Sequence, residues 1–388
     1  MTPADMVPQW TRSGPRLKVA PDICRGGPMR KHNNAFDLVR LMAACLVVWH
    51  HQFNLMGLPE PIFHPMNVAV DGGVGVAIFF ALSGYLNTTS AARHRSAAVF
   101  LFNRALRIYP ALIVCVLLTA VFGLFVTSDI RTYLSPQLLT YLAKNSTLLF
   151  GVGVRTPGVF TESPFPNALN GSLWTLPYEI KMYLALACCL AVVRYNLVFP
   201  AVVFAGAVLF TALALFFGFW ATFPQDFGLG FSTLFLAGCT LASIRSFLGL
   251  PLGIGILVFV ALTFLWVGQN YLSVQLLVAA AVVSVGSIRL PIFLRLPLDL
   301  SFGIYIYAFP VQQLSSMLFS DFWIALTFSA SITFVLALLS ALFIEKPALQ
   351  LKDKFPSFDF AEKLPLQLRK LMSGAAGRKN FAGSRFEQ

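Results

Sequence analysis

Arg40 and His51 stand eleven residues apart in the apolar stretch 36–57, FDLVRLMAACLVVWHHQFNLMG, which also carries Asp37 and His50. The stretch is long enough to cross a bilayer, where an ionised side chain costs about 3 kcal/mol on insertion scales. Such residues persist there when they face protein, water or a ligand. Eleven steps of about 100° make three turns and roughly 20° more, so Arg40 and His51 share one helix face about 16 Å apart along the axis. That pairs a cation near one membrane surface with an imidazole deep in the bilayer. An imidazole titrates near neutrality and suits general-base work. The alternative reading is an interfacial anchor at Arg40 that snorkels and a satisfied polar residue at His51.

Further patches carry polar residues at informative spacing. Arg104 and Arg107, in FNRALRIYP at 102–110, lie one helical turn apart at the inner membrane surface. Two guanidiniums so placed suit a phosphate-rich ligand, and a positive-inside anchor is the competing reading. Asn170 to Ile180, NGSLWTLPYEI, runs from an outer loop into a helix and places Glu179 about two turns in. An acid inside a span is a functional-site hypothesis by default. Lys181 is next but one to it and points about 200° away, which argues against a direct pair. Asn170, Trp174 and Tyr178 are residue types that contact carbohydrate. The glycines of Asp71 to Gly84 allow close helix approach, and Ser301 to Tyr307, with Tyr305, reads as core packing.

The elements that must position these residues are membrane helices. Of 388 residues 57% are hydrophobic and 11% charged, and the mean hydropathy is +0.75. A soluble domain is nearer 25% charged. The fold class is therefore all-α, a polytopic membrane protein of about ten transmembrane helices, at 36–57, 68–87, 108–127, 172–193, 197–217, 227–244, 250–267, 272–288, 298–319 and 322–344. A basic loop with Arg93, Arg95, Arg104 and Arg107 precedes the third. The segment 128–170 is an outer region with one interfacial or re-entrant helix at 133–150. Of 28 Lys and Arg, Arg131, Lys144 and Arg155 fall on outer loops and Arg40 and Lys181 within spans, leaving 23 for the inner side. This skew puts both termini in the cytoplasm and explains the net charge of +12 without a nucleic-acid partner. Three parts follow: a basic tail at 1–34, a membrane domain at 35–347 and a basic, largely disordered tail at 348–388. The first span, not a signal peptide, is the targeting element.

The six cysteines form no CxxC or Cys/His pattern, so no metal is expected. Walker A, GxGxxG and HExxH motifs are absent, which argues against an embedded soluble enzyme of those types.

Taken together, Arg40 and His51 at R-x10-H spacing, FFALSG at 79–84, RALRIYP at 104–110, SLWTLPYE at 172–179, SFGIYIY at 301–307 and EKP at 345–347 resemble the acyltransferase-3 family, the integral-membrane polysaccharide O-acetylase type. The resemblance covers about 36–347. It implies ten spans in the inner membrane and transfer of an acyl group, usually acetyl from acetyl-CoA, to a sugar hydroxyl across the membrane, with Arg40 and His51 needed for activity. One departure is Ala308, where many members carry histidine after the tyrosine pair. The chain looks like the stand-alone form, without a fused esterase-like domain.

The expected site follows from both lines. His51, Glu179 and Arg40 form the catalytic set, His51 acting as base on the acceptor hydroxyl or being acylated in transit. Arg104, Arg107 and Ser83 bind the acyl-CoA donor, whose pantetheine arm is comparable in length to the Arg40–His51 rise. Asn170, Trp174, Tyr178 and Tyr305 contact a glycan or lipid-linked saccharide acceptor. Membrane lipid surrounds the protein, and a homo-oligomer is compatible with the sequence. The competing class is a secondary transporter or flippase in which Arg40, His51 and Glu179 form a polar relay.

Overall fold

The computed structural model describes residues 34–62, 73–93, 96–192, 227–266 and 270–354, with scattered positions between 202 and 217. The tails before 34 and after 354, most of the fifth expected span at 197–217, and Asp71 and Gly72 lie outside the described residues.

Every regular element among the described residues is helical, and only three isolated antiparallel bridges interrupt the loops. The helices are α1 (Phe36–Leu55), α2 (Val74–Arg93), α3 (Ala97–Val126), α4 (Ile130–Tyr133) and α5 (Pro136–Thr147). A 3₁₀ turn (Gly171–Thr175) leads into α6 (Leu176–Val192). Then come α7 (Phe227–Leu248), α8 (Leu250–Trp266), α9 (Asn270–Gly286), α10 (Ser301–Leu318) and α11 (Phe322–Ser340). A π turn (Ala341–Glu345) joins α11 to α12 (Lys346–Gln350). These residues belong to one compact unit, Asn33–Gln388.

Among the described residues, four helical stretches are long and apolar enough to cross a membrane: Val74–Ala91, Ala97–Val126, Phe227–Arg245 and Phe322–Gln350. The more polar helices go inside. Thirteen of the 18 residues of α10 are buried, among them Gln312 and Gln313, and α10 packs between α1 and α11. Their amide nitrogens are tied to neighbouring segments: Gln312 Nε2 donates to the Val48 carbonyl at 2.7 Å and to Gln52 Oε1 at 3.1 Å, and Gln313 Nε2 donates to the Phe165 carbonyl at 2.9 Å. Conversely, α3 turns Leu117, Leu118, Val121 and Phe125 outward. Polar groups within and apolar side chains without is the arrangement of a membrane protein, because hydrocarbon rewards no buried apolar surface but penalises every unsatisfied polar group.

The tightest crossing joins α2 and α7. A Cβ on Gly84 would run into the backbone of Phe235, and one on Gly238 into the backbone of Ala81. Only hydrogen permits the two backbones to approach so closely. The Phe80 and Phe231 rings stack 4.2 Å apart on the same interface.

Some boundaries correct the sequence reading. The residues before 108 are not a loop: α3 begins at Ala97, where the Ser96 hydroxyl accepts from the Val99 N–H at 3.5 Å, so Arg104 and Arg107 ride on a continuous helix. The helix expected at 133–150 is the shorter α5, which Pro136 opens, and the four-residue α4 precedes it. Asp129 caps α4; the Thr132 hydroxyl and the Arg131 N–H hold its carboxyl below the usual range. The expected span at 172–193 divides at Leu176 into the 3₁₀ turn and α6.

Candidate active site

Arg40, Arg104 and Arg107 reach one cavity of about 110 Å³. The sequence explains their convergence. Arg104 and Arg107 are one turn apart on α3, and Arg40 is a turn inside the start of α1. From α2 come Phe79, Ser83 and Asn87, from α6 Glu179 and Tyr183, and from α10 Tyr305.

Two of the arginines are tied to acids. Arg40 Nη1 lies 3.0 Å from Asp37 and 3.1 Å from Asp299. Arg107 reaches Asp299 at 2.5 Å through Nη2 and Glu345 at 3.3 Å through Nη1. Arg104 has no carboxylate within ion-pair distance among the described residues. Its guanidinium lies 5.9 Å from the Phe100 ring, and its Nε is buried without a hydrogen-bond partner.

Opposite the arginines is a hydrogen-bonded acid. Glu179 Oε1 accepts from the Tyr183 hydroxyl, and the Ser83 hydroxyl is 3.2 Å from both. Asn87 Nδ2 donates to Ser83 at 2.8 Å. Lys181 does not pair with Glu179; its ammonium is 5.5 Å from the Tyr178 ring. The Tyr305 hydroxyl donates to the Ser172 carbonyl at 2.6 Å and is 2.5 Å from Thr175 Oγ1, which fastens α10 to the 3₁₀ turn.

Arg40, Ser83, Arg104, Arg107, Glu179 and Tyr305 are thus together, while His51, Asn170, Trp174 and Tyr178 are not on the cavity wall. His51 lies further along α1, edge-on to Phe309 at 5.4 Å, with Nδ1 buried and without a partner among the described residues. Phe309 follows Tyr305 by one turn on α10, so the two sites share a face of that helix. Glu179 and His51 have separate neighbours: Ser83 and Tyr183 for the acid, Phe309 and His50 for the imidazole.

Asn170 is fully buried, and its Nδ2 donates to the Ile306 carbonyl at 2.9 Å. Pro310 creates the need: without an N–H it leaves the carbonyl four residues back unpaired. Gly171 packs beside it, where a Cβ would come within 2.5 Å of the Phe309 ring. Trp174 and Tyr178 belong to an aromatic cluster with Phe227 and Phe231 of α7.

Sequence reasoning missed Asp299 and Tyr183. Asp299 is an acid inside an expected span, the same signal that singled out Glu179. Tyr183 is four residues after Glu179 on one helix face. Among the described residues no cluster of three His, Cys, Asp or Glu side chains could hold a metal ion.

A helical membrane protein with arginines, an acid and hydroxyls gathered around an internal cavity has the makings of an enzyme embedded in the bilayer. The family described as an acyltransferase domain matches residues 33–345, and the chain belongs to it. An O-acetyl transferase of Shigella phage Sf6 is 30% identical over 337 residues, 81% of this chain and 95% of that protein. Nodulation protein 10 of Rhizobium leguminosarum bv. viciae is 36% identical over 172 residues, 42% of this chain and 46% of that protein. No solved structure matches. The protein is an O-acyltransferase.

Proposed function

We propose that the protein moves an acyl group, acetyl by analogy with its phage relative, from cytoplasmic acyl-CoA to a hydroxyl of a cell-surface or exported glycan. The observation that carries this reading is the convergence of Arg40, Arg104 and Arg107 on one cavity, with His51 about three turns above Arg40 on the same helix. In this reading the narrow thioester arm occupies the cavity. The donor's phosphates then stay at the arginine-lined end while the arm reaches inward. In this reading ten spans place the arginines at the cytoplasmic face of the inner membrane, with both termini on that side.

His51 takes the proton of the acceptor hydroxyl as its oxygen attacks the thioester carbonyl. The carbon–sulfur bond breaks, CoA leaves as thiolate, and the imidazolium returns the proton to sulfur. The Nδ1 or Nε2 of a neutral ring can serve as base, and the buried, unpartnered Nδ1 leaves capacity for such contact. Glu179, held by Tyr183 and Ser83, offers an acceptor to the amide groups of the arm.

The test is incubation of the purified protein with labelled acetyl-CoA and candidate glycans. Free CoA appearing together with acylated sugar is the expected result. Passage of glycan across a vesicle membrane without CoA release would favour the transport reading, and no turnover with any acyl-CoA or glycan would overturn the proposal.

A further inference from the structure

The three cavity arginines are not equivalent, and the acids that distinguish them point to a division of labour. Asp299 stands just before α10. Its Oδ1 accepts from the Ser301 N–H at 3.1 Å and the Ser301 hydroxyl at 2.6 Å, so the start of the helix fixes the carboxylate. Its Oδ2 receives both Arg40 and Arg107. One carboxylate therefore joins α1, α3 and α10.

Glu345 is the second acid. It ends the π turn after α11, a rare wide turn that recurs at functional sites. It is only 4% exposed, and its Oε1 accepts from Ser340 at 3.2 Å while Oε2 meets Arg107. A buried carboxylate is costly unless paired and hydrogen-bonded. Between them, Asp299 and Glu345 occupy both terminal nitrogens of Arg107.

From this we infer that Asp299 and Glu345 are positioning residues that fix Arg107 and Arg40 in the cavity wall and leave Arg104 as the cation that meets the donor's phosphate. The inference rests on the acyl-CoA reading of the cavity. Arg107 then acts as a rivet between α3, α10 and α11. Arg104, without a carboxylate partner among the described residues, keeps its charge for an incoming anion.

Direct binding of coenzyme A to the purified full-length protein separates positioning from simple charge. Asp299→Asn and Glu345→Gln remove negative charge beside a phosphate site. If the acids only screened the arginines, both substitutions would tighten binding. If they position the arginines, both weaken it, by about tenfold, and Asp299→Glu recovers most of the loss by restoring a carboxylate. Arg104→Gln weakens binding by at least as much. Thermal stability in detergent is followed alongside; if Asp299→Asn does not fold, Glu345→Gln, whose side chain touches only Arg107 and Ser340 in this network, decides by the same criterion. Unchanged or tighter binding in the variants overturns the inference, and so does failure of both to fold, since the acids would then serve the fold alone. Absence of coenzyme A binding in the unsubstituted protein overturns the acyl-CoA reading and this inference with it; normal binding there with unaffected variants overturns this inference only.

Discussion

The Asn170 side-chain nitrogen is 2.9 Å from the Ile306 carbonyl oxygen. That bond repairs the break Pro310 makes in α10 and ties the loop before α6 to the helix that reaches from the cavity to His51. The Cys115 thiol, a weak donor, approaches the same carbonyl at 3.3 Å.

Asn170→Ala should therefore destabilise the protein by about 1–3 kcal/mol, the cost of a buried acceptor left largely unsatisfied. Pro310→Ala restores an N–H that can serve Ile306. The double variant should lose less than the sum of the two single losses, as read from melting in detergent. Additive losses would show that Asn170 does not compensate for the proline.

His51→Ala should lower acyl transfer by about a hundredfold to ten-thousandfold, the usual contribution of a general base. The variant should enter the membrane and melt close to the unsubstituted protein. Transfer at an ordinary rate would remove His51 from the chemistry.

Glu179→Gln keeps the shape and one acceptor for Tyr183 and Ser83 but removes the charge. The fold should survive while kcat/KM falls about tenfold. Glu179→Leu should also cost stability, because the Tyr183 and Ser83 hydroxyls lose their carboxylate acceptor inside the bundle. Equal turnover in the glutamine variant would reduce Glu179 to a packing role.

Gly84→Ala should lower stability by about 1–3 kcal/mol or more, since the added methyl meets the backbone of Phe235 rather than a side chain that can rotate away. Ser83→Ala, one residue earlier, removes a hydroxyl shared by Asn87, Glu179 and Tyr183 but adds nothing to the crossing, so its loss should be smaller, about 1 kcal/mol. The contrast in thermal stability between these neighbours checks the crossing.

Much of this was legible in the sequence where one helix decides the outcome. Arg104 and Arg107 share a face because their spacing demands it, and the polar residues of α1 announce a helix that is not bathed in lipid. The onset of α3 was hidden because AAVFLFNRALR mixes apolar residues with arginines and reads as an inner loop. The helical turns before 108 extend it instead. What no local pattern reveals is a partner far along the chain. Asn170 is explained by Pro310 on another helix, and Arg107 by Asp299 and Glu345, one just before α10 and the other at the end of α11. The separate surroundings of Glu179 and His51 likewise follow from packing rather than spacing.

The Gly84–Gly238 contact also governs how the interior can breathe. Ser83 and Asn87 flank that contact on α2, so this side of the cavity is pinned to α7 with no slack between the backbones. The opposite wall is held differently, by the ion pairs of Arg40 and Arg107 with Asp299 and Glu345. One flank of the chamber is thus closed by bare backbone contact and the other by charge.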